Sequence, residues 1–194
     1  MKHCPNTVAL TLAATLTAAL ALTPATAADG PATPGDPITA ERLVDVAELT
    51  RLTDAIDAAV DAKDWPTARS HFVDEITVDF SSLVGGGPAT IPADGLIAGW
   101  SANLTAEKTS FHLRGNHRVA FNGADTASVF SHGYAWNRLE RGALEANGGD
   151  PLWQVWGHYT HGFTRTATGW KVDSMAFHAT AERGNPFVRN TPGN

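Results

Sequence analysis

Residues 110–121, which read SFHLRGNHRVAF, open the part of the chain that decides the fold. Four long segments rich in aromatic and β-branched residues begin here, at 111–121, 126–139, 152–166 and 170–181. Such segments predict strands. Turn-forming residues separate them, so we expect long antiparallel strands in the C-terminal half of the chain.

The residues before these strands have helical periodicity. Leu49, Leu52, Ile56 and Val60 fall on one stripe and predict a helix that runs to about residue 63. Asp64 followed by Trp65 and Pro66 is typical of a second helix start. Residues 76–80 alternate as a first strand, and residues 92–104 predict a third helix.

This element order predicts an α+β fold, because helices and then strands are grouped along the chain. We expect a cone-shaped, curved mixed or antiparallel sheet wrapped around three N-terminal helices and enclosing a pocket.

The composition fits one domain with extensions, at 194 residues with 43% hydrophobic and 18% charged. Residues 1–27 predict a secretory signal peptide, with Lys2, an apolar run over 8–22 and small residues at 25–27. That run is shorter than the roughly 20 residues needed to span a bilayer. We expect an exported protein, periplasmic or secreted, with a flexible lead-in at 28–37, the domain at 38–181 and a polar surface tail at 182–194.

Charge and cysteine content exclude several functions. The only cysteine, Cys4, lies in the expected signal peptide, so the mature chain would have neither a disulfide nor thiolate chemistry. The net charge is −6, and no basic stripe is present. Nucleic acid is therefore not an expected partner, nor is a membrane after the signal is removed.

The order of elements resembles the nuclear-transport-factor-2-like superfamily, in its SnoaL-like branch, over residues 38–181. The GWKV turn at 169–172 is a familiar local signature of that branch. Relatives of scytalone dehydratase, bile-acid dehydratases and a hexachlorocyclohexane dehydrochlorinase place an Asp at the end of the first helix and a His at the start of the second strand. Asp61 and His112 match those two positions.

The resemblance implies a His112–Asp61 acid/base dyad, a lyase (dehydratase-like) or isomerase activity on a small hydrophobic molecule, and no metal or organic cofactor. A carboxylate that orients an imidazole suits such proton transfer. Asp57 lies closer to the apolar stripe than Asp61, so either aspartate is left open as the partner. The alternative to an enzyme is a non-catalytic ligand-binding or dimerisation module of the same fold.

Other side chains are candidates for the pocket wall. The family's helix tyrosines are missing here, and Tyr134 and Tyr159 are the only tyrosines in the chain. Strand parity allows His132 or His178 to enter the cavity, and aromatic walls such as Trp100 suit a hydrophobic ligand. A homodimer is expected by family analogy, with interface candidates Trp153 and Trp156.

Overall fold

The computed structural model of the chain describes residues 37–139 and 142–192. The expected signal peptide and nearly all of the expected lead-in, residues 1–36, lie outside the described residues.

The helical layer comes first in the chain. After a 3-10 turn, α1 spans Leu43–Asp61 and buries the predicted stripe of Leu49, Leu52, Ile56 and Val60. Asp64 caps α2, Trp65–Ser70, by accepting a hydrogen bond from the Thr67 N–H at 3.1 Å. The other helices before the long strands are α3, Ser81–Val84, and α4, Ala93–Asn103.

Six strands form one curled, unclosed sheet. They are β1 Phe72–Asp79, β2 Ala89–Pro92, β3 Lys108–Phe121, β4 Thr126–Leu139, β5 Leu152–Thr166 and β6 Gly169–Gly184. Their order is β2-β1-β6-β5-β4-β3, and every neighbouring pair is antiparallel except β1 and β6. The predicted α+β fold with a mixed, curved sheet is confirmed.

The concave face of the sheet packs against the helices and forms the core. On β4 and β5 the odd-numbered residues point inward, as the burial of Val129, Ala135, Val155 and Phe163 shows. The even-numbered residues lie on the outer face, because successive strand side chains point to opposite sides. This parity decides which sequence candidates can reach the interior.

The predicted surface tail is wrong. Strand β6 continues to Gly184, and a further helix, α5, spans Pro186–Asn190 and buries Val188 completely. The Asn185 side chain caps this helix by accepting from the Phe187 N–H at 3.0 Å, with a proline in its first turn. An Asn-Pro helix start followed by Phe187 and Val188 therefore signals a packed helix.

The short elements α3 and β2 have four residues each and no sequence periodicity long enough to predict them. Within the described part of the chain, none of the helices has the length and apolar character that a bilayer span requires.

Candidate active site

The last residue of α1 and an inward-facing residue of β3 form a hydrogen-bonded pair. His112 Nδ1 lies 2.7 Å from Asp61 Oδ1, and the backbone N–H of His112 donates to Asp61 Oδ2 at 2.7 Å. The Ser110 hydroxyl also donates to Asp61 Oδ1, at 2.8 Å. Three donors therefore hold one carboxylate in a fixed orientation.

The electrostatics keep Asp61 ionised. Burial alone would raise its pKa, but the hydrogen bond and charge of His112 and the bond from Ser110 outweigh burial and hold the pKa below its usual value. Since an ionised carboxylate can only accept, Nδ1 of His112 carries a proton. The other ring nitrogen, Nε2, is then the acceptor of the neutral imidazole.

Lys63 is connected to the Asp61–His112 pair through Ser110. Its Nζ donates to Ser110 Oγ at 2.6 Å, and that hydroxyl in turn donates to Asp61. Burial lowers the pKa of Lys63, while the nearby Asp61 charge opposes the shift. Lys63 has a φ of 60°, a left-handed conformation that costs energy for a residue with a Cβ.

A second ion pair lies one helical turn earlier. Arg114 Nε and Nη2 donate to the two carboxylate oxygens of Asp57 at 2.5 and 2.6 Å, and the side chains are 1% and 10% exposed. The question that sequence left open is thereby answered: Asp61 contacts His112, and Asp57 contacts Arg114. Sequence reasoning missed Arg114, although it has the same strand parity as His112.

His112 lines three hollows, two of which adjoin each other between the helices and the sheet. The larger of these two has a volume of about 440 Å³ and the smaller about 80 Å³. Both are lined by Phe80, Trp100, Leu104, His112 and Tyr159. A mostly apolar cleft of a few hundred Å³ with a few polar groups is typical of small-molecule sites. The predicted wall residues Trp100 and Tyr159 therefore lie at the same cavity as His112.

Comparison with known proteins agrees with this architecture. A model of the SnoaL-like domain matches residues 41–176. The chain belongs to the SnoaL-like domain family. A search among curated proteins finds none that matches it.

Several solved structures share this SnoaL-like fold. The Kfla4162 protein from Kribbella flavida is 28% identical, with a TM-score of 0.68, covering 75% of this chain and 97% of that one. A protein from Novosphingobium aromaticivorans assigned as a scytalone dehydratase is 19% identical, with a TM-score of 0.63 and coverage of 75% and 91%. A type 2 hexachlorocyclohexane dehydrochlorinase is 17% identical, with a TM-score of 0.60 and coverage of 74% and 90%. Identities this low show the fold alone for the last two.

Three predicted pocket residues of the SnoaL-like domain do not reach the cavity. Tyr134, on the outer face, donates through its hydroxyl to Gln154 Oε1 at 2.8 Å. His132 is exposed there, with Nδ1 2.9 Å from Asn116 Nδ2. His178 is also exposed and stacks on His158 with ring centroids 4.9 Å apart. All three are even-numbered, and strand parity from sequence could not say which parity faces the helices.

One of the two predicted interface residues does not lie on the outer face. Trp153 is buried on the inner face, lines the larger hollow and donates through Nε1 to Glu182 at 3.0 Å. It cannot contact a partner on the outer face. Trp156 lies on that outer face and is 38% exposed.

The interior also holds a histidine that has no role in the dyad. His161 is fully buried on β5, and neither ring nitrogen has a hydrogen-bond partner among the described residues. Burial, and then the positive charge of Arg114, lower its pKa well below the usual value. Within the described ranges, no three His, Cys, Asp or Glu side chains are grouped as a metal site would require.

Proposed function

We propose that this SnoaL-like protein is a cofactor-independent lyase of the dehydratase type, or a related isomerase, that acts on a small hydrophobic molecule through His112 and Asp61. The observation that carries the proposal is the carboxylate of Asp61, which accepts from the ring and the backbone of His112 at the wall of an apolar hollow. Such an arrangement fixes the tautomer and stabilises the imidazolium that forms during proton transfer.

In the proposed reaction, Nε2 of His112 removes a proton from the carbon next to an activating group of the substrate. The electron pair of that C–H bond forms a double bond as the leaving group departs from the next carbon. For a hydroxyl leaving group, the imidazolium returns the proton, so that water is the product. Asp61 stays ionised throughout and does not need to take the proton.

The walls favour a small apolar substrate. Phe80, Trp100 and Leu104 line both hollows, and the larger one adds the inner face of the sheet. Excluding water from such a site strengthens the interaction between an imidazolium and a carboxylate, because the local dielectric constant is low. Two of the structural neighbours bear the names of enzymes that catalyse elimination, which agrees with a lyase.

The test is turnover on a panel of small β-hydroxy ketones and halogenated hydrocarbons. His112→Ala should abolish conversion of any substrate found, whereas the matched variant His132→Ala, on the exposed outer face, should retain it. Full activity of His112→Ala would refute the dyad.

The alternative is a module that binds a hydrophobic ligand without converting it. The observation that favours it is the extent of apolar wall in the larger hollow, where Leu83, Val155 and Phe177 add surface that the smaller hollow does not have. A purified protein that retains a hydrophobic ligand but converts nothing on the panel would support this reading.

We also propose a homodimer through the outer face of the sheet, with a second copy of this chain as the partner. Large apolar side chains are exposed near one edge of this face: Leu113 at 57%, Phe111 at 40% and Trp156 at 38%. Exposed apolar patches commonly mark interaction sites. Trp156→Glu should convert a dimer into a monomer in sedimentation, and a wild-type protein that stays monomeric at high concentration would contradict the proposal.

Export through the N-terminal segment is likewise a proposal. It predicts that the mature chain begins at Ala28 or Asp29, which intact mass measurement of the protein from its natural host would decide.

A further inference from the structure

One nitrogen of the Arg114 guanidinium has no hydrogen-bond partner in the described part of the chain. Its Nε and Nη2 bind Asp57, but Nη1 is buried and has no hydrogen-bond partner there. Buried polar groups in native proteins are almost always paired, and an unpaired donor on a charged group is especially costly. An unpaired donor of this kind therefore indicates an acceptor that is not among the described residues, such as an atom of a bound molecule.

The guanidinium cannot easily turn away to find another partner. The bidentate contact with Asp57 fixes its plane, and its central carbon lies 3.5 Å from the centroid of the Tyr159 ring. Gly133 on β4 leaves the space for that ring, since a Cβ there would be 2.6 Å from Tyr159 Cε2. The cation is thus clamped between a carboxylate and an aromatic face.

The location of this cation links it to the dyad. Arg114 lies two residues after His112 on the same face of β3, and both line the smaller hollow together with Tyr159. An oxygen atom of a molecule in that hollow would have His112 on one side and the guanidinium on another. Such an oxygen would have to be an acceptor, because Arg has no acceptor of its own.

Tyr159 adds a second donor on the same wall. Burial raises its pKa to about 12, although the charge of Arg114 opposes that shift. The hydroxyl is therefore neutral at ordinary pH and can donate a hydrogen bond.

We propose that Arg114 and Tyr159 form an oxyanion site that binds the carbonyl oxygen of the substrate beside His112. This inference rests on the proposed function and narrows its substrate class to small carbonyl compounds with a leaving group on the β-carbon. Asp57 is a positioning residue, because it acts only by holding Arg114.

The two donors would stabilise the negative charge that develops on the carbonyl oxygen during the reaction. As His112 takes the proton from the carbon next to the carbonyl, the C–H electron pair forms a C=C bond and the carbonyl π electrons move to the oxygen. The enolate then reforms the carbonyl and expels the β-hydroxyl, which leaves as water with the proton from His112. Donors fixed in place before the reaction stabilise such a charge without reorganisation.

Binding of para-nitrophenol tests the site without requiring turnover. Its ionised form resembles an enolate in placing a negative oxygen on a flat, conjugated frame, and absorbance distinguishes phenol from phenolate. Wild-type protein should bind the phenolate at least about tenfold more tightly than the phenol, since charge-assisted hydrogen bonds are strong in a dry site.

The key variant is Asp57→Asn combined with Arg114→Gln. Replacing both partners avoids leaving one buried charge unpaired, which could prevent folding. This double variant should melt cooperatively and lose the preference for the phenolate. Arg114→Lys keeps the positive charge but loses the planar set of N–H groups. It should also lose most of the preference for the phenolate, because an ammonium group cannot bind Asp57 and the ligand in the same planar geometry.

Two outcomes would overturn the inference: equal affinity of the wild type for phenolate and phenol, or an undiminished preference in the folded double variant. His112→Ala separates this test from that of the proposed function. If the His112→Ala variant keeps turnover, the proposed dyad is refuted, whatever the binding of para-nitrophenol shows. If the variant loses turnover but still binds the phenolate more tightly than the phenol, the oxyanion site is supported independently of His112.

Discussion

The backbone N–H and the ring Nδ1 of His112 contact the two oxygens of a single carboxylate, that of Asp61, at 2.7 Å each. The side chain and main chain of the residue are thus both fixed relative to the end of α1. A ring held in this way keeps Nε2 in a constant direction, which proton transfer requires.

Asp61→Asn should therefore lower turnover by ~10²–10⁴-fold, because the amide neither fixes the tautomer nor stabilises the imidazolium. Asp64→Asn is the matched control: this carboxylate lies three residues further on and caps α2. Asn is also a good N-cap, so this control should change neither turnover nor stability much. Steady-state kinetics on one converted substrate measure both variants, and equal activity of Asp61→Asn and wild type would contradict the dyad.

Lys63→Gly should separate catalytic support from stability. Glycine adopts the left-handed conformation of residue 63 without strain, which offsets the lost contact with Ser110. We expect a small change in melting temperature but a fall of several-fold in kcat/KM. Steady-state kinetics and thermal melts of the same preparation measure the two effects.

Asn116→Gly is the control for that experiment, because Asn116 is also left-handed, with a φ of 55°. It contacts His132 on the outer face rather than the dyad. An unchanged kcat/KM in Lys63→Gly would show that Lys63 does not support the dyad.

The buried amine of Lys108 predicts that the free energy of unfolding rises at alkaline pH. Its side chain is fully buried, and Nζ donates to Asn103 Oδ1 and to the carbonyls of Arg189 and Thr191. Burial, and then the charge of Lys63, lower its pKa from 10.5 to about 8. Between these pH values the unfolded chain binds more protons than the folded one, so the free energy of unfolding should increase with pH.

Denaturant unfolding across that pH window measures the effect. Lys108→Met keeps the length of the side chain but cannot titrate, so its curve should lack the part of the rise due to Lys108. Identical slopes for wild type and variant would contradict the assignment.

Gly133→Ala should disturb the wall of the site through Tyr159. The added methyl would lie 2.6 Å from the ring, so the ring or the strand must move, at a cost of ~1–3 kcal/mol in stability. Gly115→Ala, on β3, has no atom within 4 Å of its new methyl and should cost little. Thermal melts compare the two, and an equal effect would show that Tyr159 yields without cost.

Much of the fold follows from local sequence patterns. The spacing of Leu49, Leu52, Ile56 and Val60 determined α1, and alternating aromatic and β-branched residues determined β3 to β6, because each pattern has the period of its own element. The position of His112 on a strand and of Asp61 at a helix end followed from the same patterns together with the family resemblance.

Tertiary structure alone decided which side chains meet. Parity placed Tyr134 and His132 on one face of their strand. Only the register of β4 with β5 and the packing of the sheet against α1 made that face the outer one and put Tyr159 on the inner one. Likewise the last two turns of α1 direct Asp61 to His112 and Asp57 to Arg114, and no sequence spacing specifies a contact between residues more than fifty positions apart. The periodicity of a sequence shows how apolar and polar residues alternate along the chain, whereas burial and side-chain pairing depend on which surfaces the whole fold brings together.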